Sequence, residues 1–141
     1  MKRLIALTGL VSVEKAEIAQ ALAHHYATQG STVTLIDNIA RFAIESETAI
    51  RLNGDIAHYL APTLDHIASD VVVLAAAETA NPDDLFTALD ALHAEYAVYT
   101  LALIDTRTCD CFPALRQALE TYADAVIQLP TEFDTVLEAL G

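Results

Sequence analysis

Five short apolar, β-rich runs recur along the chain: "RLIALT" at 3–8, "TVTLID" at 32–37, "DVVVLAAA" at 70–77, "VYTLALID" at 98–105 and "AVIQLP" at 125–130. Between them the apolar positions fall at helical spacing, as with Ile18, Leu22 and Tyr26, then Leu85, Leu89 and Leu92, then Leu115, Leu119 and Tyr122. Strands alternating with helices predict an α/β fold, a three-layer α/β/α sandwich around a mainly parallel five-stranded sheet. Gly30 is placed to end the first helix. Pro82 with Asp83 and Asp84 suits a helix start, as does Asp110 before "CFP", because proline in a first turn sacrifices no helical hydrogen bond and acids favour the positive end. A last helix is expected over 132–140. The segment 38–69 reads as two helices, broken near Asn53-Gly54 and bent near Pro62, with a hairpin around "RLNGDI" as the competing reading.

The 141 residues are 54% hydrophobic, enough for one domain with its own core over 1–141 and too few for two ordinary ones. No repeat, low-complexity tract or linker divides them. Seven basic residues against 20 acidic ones leave a formal charge of -13, and the basic residues are scattered. This balance repels nucleic acid and anionic membranes, so neither is an expected partner. No apolar run reaches the length of a membrane span, and the apolar N-terminus is soon interrupted by Glu14, Lys15 and Glu17, unlike a signal peptide. A cytoplasmic protein is expected, and the two cysteines, Cys109 and Cys111, suit a reducing compartment.

Candidate chemistry begins at "LIALTGLVSVEKAEIAQAL", where a strand runs into Gly9 and Lys15 follows just before a helix. A phosphate-binding loop reads G-x-x-x-x-G-K-[ST], since backbone N–H groups converge on the phosphates while the Lys and a hydroxyl serve the terminal phosphate and Mg²⁺. Gly9 and Lys15 stand at that separation, but Glu14 replaces the second glycine and Ala16 the hydroxyl residue. With "IALTG" at 5–9, Lys15, "IAQALAHHYATQG" at 18–30 and "VTLID" at 33–37, the chain resembles the P-loop NTPases of the ParA/MinD and dethiobiotin-synthetase type. "TLALIDTRT" and "DAVIQLP" are similar to the strands that follow the Walker B strand in that family.

The resemblance implies a sheet in which a later strand separates the second from the first, and a site around Gly9, Ser12, Glu14, Lys15, Ala16, Asp37, Asp105 and Arg107. Departures are specific. The additional signature Lys of ParA and MinD proteins falls on Leu10, the loop glycines fall on Val11, Ser12 and Glu14, and the Walker B-like strand "SDVVVLAAAE" ends in Ala where an Asp is expected. Glu14 would cost about 1–2 kcal/mol in backbone strain if its φ were positive. Its charge ~4 Å from a phosphate oxygen would add repulsion of roughly 4 kcal/mol at an effective dielectric of about 20. Alternatively Ser12 caps a helix whose first turn carries Glu14 and Glu17, and the acids suit its dipole. Lys15 either still meets an anion or is an exposed helix residue paired with an acid.

A second polar cluster, "IDTRTCDCFP", follows the fourth expected strand, at the sheet edge where such folds place ligands. Arg107 could hold a carboxylate or phosphate, or tie down Asp37 or Asp105 inside the protein. Two thiols one residue apart supply half a zinc sphere, so no metal site is expected. Cys109 and Cys111 are either small buried hydrophobes or helix-terminal thiols of lowered pKa. His24 and His25 are adjacent and so diverge on the helix. No catalytic group is assigned.

The expectation is a P-loop NTPase-like domain without hydrolysis and without a resident cofactor, acting through a protein partner or as a homodimer. The alternatives are a working ATP-binding ParA/MinD-like regulator with ATP and Mg²⁺, a flavodoxin- or response-regulator-like binding domain, and a thiol enzyme.

Overall fold

Alternation at period two runs through the central strands, and it sorts their side chains onto two apolar faces that helices then cover. The computed structural model describes residues 2–11, 13–39, 49–77, 81–105 and 113–141. Its elements in chain order are β1 (Lys2–Thr8), α1 (Val13–Thr28), β2 (Val33–Asp37), β3 (Ala49–Arg51), α2 (Ile56–Leu64), β4 (Val71–Ala75), α3 (Pro82–Asp90), β5 (Tyr96–Asp105), α4 (Pro113–Tyr122), β6 (Ala125–Leu129) and α5 (Phe133–Leu140).

All strand pairs are parallel and the sheet order is β3-β2-β4-β1-β5-β6. Thus β4 lies between β2 and β1, as the P-loop resemblance implies. A flavodoxin-like sheet would instead set β1 beside β2, so that alternative is excluded. The sheet has six strands where five were expected, the addition being the three-residue β3.

On one face Ile5, Leu7, Leu35, Val73 and Leu103 pack with Ala19, Leu22 and Tyr26 of α1 and Val136 of α5. On the other, Leu4, Ala6, Ile36, Leu74 and Ala102 meet Leu60 of α2, Leu85 and Leu89 of α3 and Leu119 of α4. These are the two outer layers of the expected sandwich. Gly30, at φ +89°, ends α1, and the next N–H, of Ser31, returns to the Tyr26 carbonyl. Asn81 caps α3 by accepting from the Asp83 N–H, with Pro82 in the first turn.

Within 38–69 the structure differs from both sequence readings. Only one helix, α2, occurs among the described residues, with Pro62 inside it, and the residues before Asn53-Gly54 form β3. That strand pairs parallel to β2, so "RLNGDI" is not a hairpin. Residues 40–48 lie outside the described residues.

Candidate functional site

β1 leaves the sheet toward α1 on one face, while α3, which follows β4, packs on the other. Adjacent strands whose connections diverge in this way open a crevice between their carboxyl ends, the usual ligand position in open α/β sheets. Lys15 spans that crevice. It is completely buried, and its Nζ donates to the carbonyl oxygens of Gly9, just past β1, and Ala76, just past β4, each at 2.7 Å.

Helix preference does not explain this lysine, because a cation in a first turn opposes the helix dipole. Short, charge-assisted bonds to these carbonyls help to offset the cost of burying the ammonium. The reading of Lys15 as an exposed helix residue is therefore corrected: the ammonium is withdrawn from water and held on main-chain carbonyls.

Gly9 takes φ +137°, and a Cβ there would lie 2.3 Å from the Leu103 carbonyl oxygen of β5. Both facts demand glycine. Glu14 is half-buried in the first turn of α1, and no non-glycine residue has a positive φ among the described residues. The strain cost considered for Glu14 does not arise, since the backbone has become helix where a glycine loop was possible. Ala16 is buried against the α1-side core and brings a methyl where the motif would bring a hydroxyl.

Asp37, at the end of β2, is buried. Its Oδ1 accepts from the Ile39 N–H and lies 3.0 Å from Arg51 Nη1. Asp105 is buried at the end of β5. Ser12, Arg107, Cys109, Asp110 and Cys111 lie outside the described residues. Gly9 and Lys15 are thus in direct contact, while Asp37 and Asp105 end β2 and β5, the strands that flank the β4–β1 pair on either side. No helix is long and apolar enough to cross a membrane among the described residues.

Asn38 was not singled out from the sequence. It is buried; its Nδ2 donates to the Leu52 and Gly54 carbonyls and its Oδ1 accepts from the Ala77 N–H, so one amide ties β2 to the β3–α2 turn and to the end of β4. The available signal was an Asn directly after "LID", at the ligand edge of the sheet. Beside it lies a cavity of about 570 Å³ whose walls include Arg51, Leu52, Ile56, Asn81, Asp84 and Leu85.

No protein-family model and no curated protein matches the chain. Solved structures do. The BceF tyrosine kinase domain is similar over 89% of this chain and 68% of its own length, at a TM-score of 0.60 and 18% identity. A de novo designed protein with the P-loop NTPase fold is similar over 98% and 88%, at 0.54 and 12%. The signal recognition particle receptor FtsY from Elizabethkingia anophelis is similar over 94% of this chain and half of its own, at 0.54 and 17%. With the strand order and the Gly9–Lys15 connection, these likenesses show that the chain has a P-loop NTPase-like fold.

Proposed function

We propose that the protein is a ParA/MinD-like P-loop domain with a degenerate loop, which does not turn over nucleotide and serves as a binding or assembly module. The observation that carries this reading is the engagement of Lys15 with the Gly9 and Ala76 carbonyls. A lysine that serves phosphate must direct its charge at the ligand. This one links the ends of two strands and takes a place in the core. Ala16 supplies no oxygen for Mg²⁺, the strand in the Walker B position ends in alanines, and Glu14 sets a negative charge at the helix end that would meet a phosphate.

The test is phosphate release from ATP and GTP with Mg²⁺, compared with Lys15→Ala. The expected rate equals that of the variant; a Mg²⁺-dependent rate well above it rejects the reading. Calorimetric titration of the double variant Glu14→Gly, Ala16→Thr measures the two loop departures directly. Higher nucleotide affinity than the parent is expected, and no gain would show that other features of the loop exclude nucleotide.

A further inference from the structure

The cavity at the carboxyl ends of β2, β3 and β4 has the volume of a small-molecule site. Its walls combine three kinds of chemistry. Leu52, Ile56, Leu85 and Ala77 supply an apolar lining. Arg51 supplies a cation: Nη1 meets Asp37 and Nε donates to Asn53 Oδ1 at 3.0 Å, leaving the outer N–H groups of the guanidinium fork uncommitted among the described residues. Asp84 supplies an anion without a hydrogen bond or ion pair among the described residues. Asp55 adds a second carboxylate, held below its usual pKa by the hydrogen bond from His58 and then by that from the Ala57 N–H.

We propose that this cavity binds a small amphoteric molecule, one bearing an ammonium and a carboxylate on an apolar body, the class of free amino acids and short peptides. The carboxylate pairs with the free side of the Arg51 fork, the ammonium with Asp84, and the apolar body lies on Leu52, Ile56 and Leu85. A ligand carrying only a negative charge would face Asp84 and Asp55 without compensation, and one carrying only a positive charge would leave the remaining N–H groups of Arg51 without a carboxylate. Each mismatch costs affinity, so selection for both charges follows from the walls themselves. This site is separate from the Lys15 crevice, and its occupation does not depend on whether the loop takes nucleotide.

Leucyl-leucine, its N-acetyl derivative and its carboxamide test the proposal by titration of the full chain, read as backbone amide shifts. Saturable shifts at Leu52, Ile56 and Leu85 are expected with leucyl-leucine, and affinities about tenfold lower with either single-charge derivative. Asp84→Asn should erase the advantage of leucyl-leucine over the N-acetyl form, and Arg51→Gln its advantage over the carboxamide. Asp84 is exposed, so Asp84→Asn keeps the fold and decides the matter by itself if Arg51→Gln disturbs β3. Equal affinities for the three peptides, shifts confined to other residues, or no shift at millimolar peptide would overturn the proposal. Phosphate release reads none of these, so failure here and failure of the proposed function are distinguishable.

Discussion

Gly9 and Lys15 meet through a carbonyl and an ammonium, and each is held by a different constraint. Gly9 is required by the β5 backbone: Gly9→Ala should lower stability by roughly 3 kcal/mol, from the positive φ and from the contact with the Leu103 oxygen. Denaturant unfolding would measure it, and a loss under about 1 kcal/mol would mean that β5 yields easily. Tyr96 offers a residue-level test in alkali. Burial first, then the charges of Glu95 and Asp65, push its phenol above the ordinary 10.0. A raised folded-state pKa favours the neutral form, so its contribution to stability is whole below about pH 10 and is lost as pH rises through the folded value. Tyr96→Phe should therefore unfold less steeply with pH in that range, and identical alkaline profiles for the two proteins would refute the assignment. Glu14 shows what residue identity alone conceals. Its type and position are plain in the sequence, but whether its backbone is strained loop or relaxed helix is a matter of φ.

Asn81 places α3 at the cavity rim, and its side chain is the cap on which the entry of that helix depends. Asn81→Ala should destabilise the protein by about 1 kcal/mol, measured by denaturant unfolding, while Asn81→Asp should be nearly neutral. Equal losses for the two would show that the side-chain oxygen does not cap. Elements with strong periodic signals were legible: β1, β2, β4, β5 and β6 fall within two residues of the runs that announced them, because buried parallel strands read as near-continuous apolar stretches. β3 was not legible. Ala49, Ile50 and Arg51 become a strand through pairing with Leu35, Ile36 and Asp37, and a three-residue edge strand has no period of its own. The Asp37–Arg51 pair joins positions distant in sequence, as does the bond from Lys15 to Ala76, so neither could be read from local spacing. The Gly9–Lys15 half of the site was visible because the two partners stand six residues apart, across the connection from β1 into the first turn of α1.

At the scale of the whole molecule, the strand order and the structural likenesses place this chain on a P-loop NTPase-like frame, while the crevice that commonly serves phosphate on that frame holds its own lysine. For a protein of formal charge -13 we expect a homodimer or a stable hetero-complex made through apolar rather than charged contacts. Light scattering that finds a monomer at high concentration, in low and high salt and without a co-purifying partner, would rule out the homodimer. The most direct test of the central claim is the thermal unfolding of the parent and of Lys15→Ala, each with and without Mg²⁺ and ATP. If Lys15 is a strut between β1 and β4, the variant melts lower, losing about 3 kcal/mol, and nucleotide shifts neither curve. If instead ATP raises the melting temperature of the parent, and Lys15→Ala melts where the parent does but no longer responds, then the loop is a working anion site and the account is contradicted.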